Sequence, residues 1–160
     1  GPGDNYHPED SHVLAALIRR FCLAKLENKE VVTCWGSGNV YREFLHVDDL
    51  ARACLHVLQN WHPNKNNAPK SSNGIPLSHL NVGTGKDLSI KELALKIAKF
   101  VDYDGKVKWD SSKPDGTPRK KLDITRIQNI GWEPKISLDQ GIESTISLFK
   151  KEIFKNEIRQ

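Results

Sequence analysis

Between residues 31 and 59 the apolar period of the chain changes from two to about 3.6, and this change limits the folds open to it. "VVTCWG" (31–36) is β-rich and ends at Gly36-Ser37-Gly38, a turn signal. "YREFLHV" (41–47) alternates and reads as the returning strand of a hairpin. Asp48 then caps a helix over 49–59, with Leu50, Cys54, Val57 and Leu58 on one face. The same alternation recurs along the chain. "SHVLAALIRRFCLAKL" (11–26) has apolar side chains at 13, 14, 17, 18, 21 and 24, a helical spacing capped by Asp10 or Ser11. "HLNVG" (79–83) and "KVKW" (106–109) read as short strands. "SIKE" (89–92) and "SLDQ" (137–140) are capping boxes that open helices to about residues 101 and 152. A short helix over 123–130 ends at Gly131. Strands interleaved with helices predict the α/β class. The Asn-, Pro- and Ser-rich stretch 60–78 reads as a long, variable polar loop.

At 160 residues, one domain is the expectation. An apolar content of 38% supports a core. No run approaches the roughly 18 apolar residues of a spanning helix, so no membrane partner is expected. A net charge of +4 favours anionic partners mildly and falls far short of a nucleic-acid binder. Cys22, Cys34 and Cys54 are odd in number and widely spaced, which reads as reduced thiols in a cytosolic protein. No signal peptide is visible at the N-terminus, in keeping with a cytoplasmic expectation.

Several residues have chemistry beyond packing. His12 lies at the start of the first helix, and histidine exchanges protons near neutral pH. Arg19 and Arg20 follow on that helix; at ~100° per residue Arg19 faces within roughly 20° of His12 and Arg20 about 80° away, so spacing leaves both open as phosphate contacts. Trp35 at a strand end can stack on a base or sugar, and Arg42 has the planar fork that clamps a phosphate. The paired acids Asp48 and Asp49 are explained by a helix N-terminus, and no metal-ligand spacing appears. "SSKPDGTPRKKLD" (111–123) is charged, and Pro114, Gly116 and Pro118 deny it a regular element. Asp115 is the acid at its tip, followed by Arg119, Lys120 and Lys121. Such a loop suits an anionic ligand that also carries N–H or hydroxyl donors.

Taken in order, "GPGDNYHPEDSHVLAALIRRF", "WGSGNVYREFLHVDDLARA", "LNVGTGKDLSIKELA" and "SKPDGTPRKKLD...IGWEP" resemble the C-terminal part of the GDP-L-fucose synthase family, extended short-chain dehydrogenase/reductases. "REFLHVDD" by itself marks only an extended reductase or nucleotide-sugar epimerase, whereas "KPDGTPRKKLD" together with "DNYHPEDSHV" is much more specific. The resemblance implies an α/β substrate-binding part lacking most of the Rossmann domain, with residues 47–59 and 79–83 packing on that missing domain. It implies the conversion of GDP-4-keto-6-deoxy-D-mannose to GDP-L-fucose by 3,5-epimerisation and NADPH-dependent 4-reduction. His12 is then the acid/base histidine near the nicotinamide. Arg20, Trp35, Arg42, Asp115 and Lys120 are sugar-nucleotide contacts, and the preference for Arg20 over Arg19 rests on the resemblance alone.

The family's G-x-x-G-x-x-G loop and Tyr-x-x-x-Lys centre do not occur here. Tyr6, Tyr41 and Tyr103 each lack a lysine four positions on. The catalytic cysteine that partners the histidine belongs to the missing part, and the chain is expected to begin just past the family's Asn-x-Tyr segment. The expected cofactor is therefore NADPH held mainly by a part absent from this sequence, the partner a GDP-sugar, and the full-length enzyme a homodimer. The chain alone is expected to be inactive. A related enzyme acting on another nucleotide sugar, and a non-catalytic GDP-sugar-binding module, are the alternative readings.

Overall fold

The computed structural model describes residues 1–66 and 68–155. Helix α1 (Val13–Leu26) buries Ala15, Leu17, Ile18, Phe21, Cys22 and Ala24, whereas, of the apolar positions its spacing marks, Val13 is exposed and Leu14 half-buried. Its N-cap is His12, in extended conformation and without a side-chain capping bond, rather than Asp10 or Ser11. Strand β1 (Val31–Trp35) points Val32 and Cys34 inward. It pairs in parallel with β4 (Lys106–Asp110), Val31 opposite Lys106 and Trp35 opposite Asp110.

The expected hairpin does not form. Strand β2 (Tyr41–Glu43) belongs to a second sheet, between β3 (Asp87–Ser89) and β5 (Arg119–Lys120). The reason lies between β1 and β2. Gly36 and Gly38 both have φ of 76°, a region that L side chains disfavour. The chain is then captured by the start of α3 (Ile90–Val101): Lys91 donates to the Gly38 carbonyl at 2.8 Å and Ile90 to the Val40 carbonyl at 3.0 Å. β2 is also shorter than the alternation of 41–47 suggested.

The loop 111–123, expected to be irregular, contributes β5. Its Arg119 and Lys120 find a parallel partner in Tyr41 and Arg42, and the Pro118 carbonyl accepts from Tyr41 N at 2.8 Å. Residues 79–83 form no strand, since nothing among the described residues pairs with them. Both capping boxes are made: Ser89 and Glu92 bond reciprocally at the head of α3, and Ser137 and Gln140 do so at the head of α5 (Leu138–Lys155).

One core joins α1, β1, α3 and α5, with the Tyr6 ring centroid 4.5 Å from that of Phe149 and the two rings tilted by 43°. A smaller core collects Ala53, Ile124, Ile127 and Trp132, between α2 (Val47–Asn60) and α4 (Thr125–Asn129). α2 departs from expectation. His46, not Asp48, caps it, its Nδ1 accepting from Asp48 N at 3.2 Å. Leu50, Leu55 and Leu58 stand exposed, Leu58 at 80%, while Asp49 and Ala53 face inward. Cys22 and Cys34 are buried and Cys54 is exposed. No described helix is long and apolar enough to cross a membrane.

Candidate nucleotide-sugar site

Trp35 leaves the end of β1 and Arg42 sits in the middle of β2, so each side chain is aimed by a strand. They meet across a cleft of about 170 Å³, lined also by Val13, Gly38, Pro114 and Asp115. Trp35 is 63% exposed, unusual for so large an apolar surface. Two cations lie beside its ring, the Arg20 guanidinium at 6.0 Å and the Lys113 ammonium at 5.7 Å from the centroid.

The two arginines of α1 are separated by their acceptors. Arg20 donates to the Thr33 carbonyl at 2.8 Å and so stays beside Trp35. Arg19 donates to the Tyr6 carbonyl at 2.7 Å and ties down the segment before the helix. Arg42 donates to its neighbour Tyr41's carbonyl at 2.6 Å, which leaves four of the five guanidinium donors for other partners. Lys120 is the register partner of Arg42, so both project from one face of the sheet. Arg119 projects from the other, where Asp87 holds it at 2.5 and 2.9 Å. That bidentate pair draws the Asp87 carboxyl below the ordinary carboxylate range and pushes the guanidinium up. The sequence placed Arg119 in a loop suited to an anionic ligand, whereas its fork is already closed on a carboxylate.

Asp115 accepts from Ser37 N at 2.6 Å and from Ser37 Oγ at 2.7 Å. The Ser37 hydroxyl and then its amide hold this carboxyl below its ordinary value. His12 does not line the Trp35 cleft, although its neighbour Val13 does. It lines a separate cavity of about 230 Å³ with Gly1, Phe44, Leu45, His46 and Ile142.

Sequence reasoning missed three groups that build this region. Glu43, next to Arg42, accepts from the amides of Thr84 at 2.5 Å, Gly85 at 2.6 Å and Leu122 at 2.7 Å. It thereby fastens the chain on both flanks of β2. Ser37 has no signal beyond its place between two glycines. His46 has its side chain 8% exposed and lines the same cavity as His12; its only sequence cue was its place ahead of the α2 acids.

Residues 1–73 match the NAD dependent epimerase/dehydratase family. The chain is 52% identical to GDP-L-fucose synthase of Escherichia coli (strain K12) over 151 residues, 93% of this chain and 45% of that protein. A solved GDP-6-OMe-4-keto-L-xylo-heptose reductase from C. jejuni superposes with a TM-score of 0.80 at 34% identity, over 92% of this chain and 50% of that one. A GDP-L-fucose synthetase from Naegleria fowleri bound to NADP superposes with a TM-score of 0.77 at 25% identity, over 100% of this chain and 46% of that one. The chain is thus a homologue of the GDP-L-fucose synthases that spans about half of their length, and its first 73 residues match the NAD dependent epimerase/dehydratase family.

Proposed function

We propose that this chain is the C-terminal, sugar-nucleotide-binding part of an enzyme that converts GDP-4-keto-6-deoxy-D-mannose to GDP-L-fucose. The observation that carries the reading is the convergence of Trp35, Arg42 and Asp115 on one cleft, with Arg20 beside the tryptophan and Lys120 beside the arginine. Aromatic and guanidinium groups so placed suit a base or sugar face and a diphosphate. Asp115 closes the cleft from the loop side. At about 170 Å³ the cleft is smaller than the ~300–1,000 Å³ typical of ligand pockets, so one end of the nucleotide rests here and the remaining wall comes from elsewhere. The exposed apolar stripe of α2 supports the same view. In this reading, α2 and residues 79–83 pack on the Rossmann part that makes up the rest of the relatives' length.

His12 is the acid or base that moves a proton at C3 or C5 of the sugar, carbons made acidic by the C4 ketone. The opposing group belongs to the other part of the enzyme. NADPH supplies the hydride for C4 when bound. Among this chain's residues only His12 is assigned to it, and the largely apolar cavity that His12 borders fits the nicotinamide end alone. The complete enzyme is read as a cytoplasmic homodimer. The likeness to the heptose reductase favours a second reading, in which the GDP end is kept and the sugar differs.

The complete protein containing this chain, supplied with NADPH and GDP-4-keto-6-deoxy-D-mannose, is expected to form GDP-L-fucose, and the 160-residue chain alone to consume no NADPH. Arg42→Ala is expected to raise KM about one to two orders of magnitude, the loss of a charge-assisted phosphate bond. A KM unchanged beside a collapsed kcat removes Arg42 from nucleotide binding.

A further inference from the structure

Alternation divides the second sheet into two faces. One carries Arg42 and its register partner Lys120. The other carries Tyr41 and Glu43 from β2, Asp87 from β3 and Arg119 from β5. This back face is built mainly from charges. Asp87 stands in register with Glu43, so two carboxylates lie side by side, an arrangement that repels unless each is compensated. Glu43 has the amides of Thr84, Gly85 and Leu122. Asp87 has the Arg119 fork, which reaches it across the width of the sheet and lies 5.7 Å from the Tyr41 ring centroid.

Strand β5 depends on such a hold. It is two residues long, both of them exposed, and it follows a loop that Pro114, Gly116 and Pro118 keep irregular. It pairs along one edge only, with β2.

We propose that Asp87 and Arg119 are a positioning pair, which clasps β5 to β3 across the back of the sheet and so holds Lys120 beside Arg42 on the front, where the two cations receive a diphosphate. The inference rests on the nucleotide-binding reading above and gives neither member of the pair a contact with the ligand. Three observations support it. The clasp joins the two edge strands and therefore spans the central strand that carries Arg42. It has two points, Nε on one carboxylate oxygen and Nη2 on the other, which fixes the direction of β5 as well as its distance. The Asp87 side chain is 7% exposed and that of Arg119 62%, so the anchor is set in the protein and the arm lies outside. Arg119 and Lys120 are consecutive in the strand, and a shift of one carries the other.

Calorimetric titration of the complete protein with GDP tests the pair through a double-mutant cycle. Lys120→Ala is expected to weaken GDP about tenfold or more, the scale of a charge-assisted phosphate bond. Asp87→Ala is expected to weaken it about three- to tenfold. The direction is decisive, because removing an acid and freeing an arginine near an anion would tighten GDP if Arg119 bound phosphate or if the field alone mattered. In a Lys120→Ala background, Asp87→Ala is expected to add less than about twofold. Arg119→Gln is expected to reproduce the loss, and Arg119→Lys, which keeps the charge and one point of contact, to recover part of it. Should Asp87→Ala fail to fold, Arg119→Gln, made at an exposed side chain, decides the cycle by itself. GDP affinity unchanged or tightened in Asp87→Ala overturns the pair. So does a loss that multiplies in full with that of Lys120→Ala, since the pair then does not act through the lysine. If Lys120→Ala binds GDP as tightly as the parent, the reading of Lys120 as a phosphate contact fails, and the pair fails with it.

Discussion

Asp49 sits under α2 with no exposed surface, and both of its oxygens are occupied. They accept from Lys135 N at 2.9 Å and Ile136 N at 2.8 Å, and Arg52 completes the shell. Burial works to raise this carboxyl, but the two amides and the arginine outweigh it and hold the group below its ordinary value. The Asp48-Asp49 pair is therefore divided between a solvent-facing helix start and a knot that joins α2 to the segment before α5. Asp49→Ala would leave two partly buried amides without their acceptors and is expected to cost roughly 1–3 kcal/mol in denaturant unfolding. A carboxyl lowered in the folded state contributes stability that is fully present above its unfolded value, about 3.9, and is lost as pH falls through the folded value. Melting temperatures below about pH 4 should accordingly fall less steeply for Asp49→Ala than for the parent chain. At the other reactive residue, His12→Gln in the complete enzyme is expected to slow inversion at C3 and C5 by ~10²–10⁴-fold. The protein should still fold, since His12 is exposed and makes no capping bond. Product stereochemistry checks this, and inversion of both centres at the parental rate would reduce His12 to a helix-terminal residue.

Helix α2 shows how much of an element a sequence reveals. Its period, length and acidic first turn were legible, because local spacing sets them. Its solvent face was not. Val47, Leu50, Cys54, Leu55 and Leu58 follow helical spacing as a core-facing stripe would, yet all are exposed. Periodicity identifies an apolar face and carries no information about what covers it. Leu55→Glu with Leu58→Glu is expected to leave the melting temperature of this chain almost unchanged, within about 0.5 kcal/mol per site, and to abolish activity or folding of the complete protein. A large loss of stability in the chain itself would mean that the stripe is already buried there. Strand pairing was hidden for a different reason. β5 pairs with residues 78 positions away, Tyr41 with Arg119 and Arg42 with Lys120, and no local pattern in a Pro- and Gly-rich loop encodes such a partner. The hairpin expected from Gly36-Ser37-Gly38 failed because α3 and the loop residue Asp115 engage that turn. In the candidate site, residue types were legible at Trp35, Arg42 and Lys120, but not the loss of Arg119 to Asp87 nor the grip of Asp115 on Ser37.

At the scale of the whole molecule, two small sheets and two hydrophobic cores present one face with a cleft and another with bare leucines. Both faces are what a half-length homologue would show if the rest of its relatives' length completed the site and covered the helix. The central claim is that the Trp35–Arg42 cleft is the GDP end of that site. Nitrogen–proton NMR spectra of the chain, recorded while GDP and then UDP are added to millimolar concentration, test it most directly. The account predicts that GDP shifts the Trp35 indole, the Arg42 guanidinium and the amides of Ser37 and Lys120, and that UDP shifts them less. GDP that leaves these signals unmoved, or moves only signals far from the cleft, would contradict it.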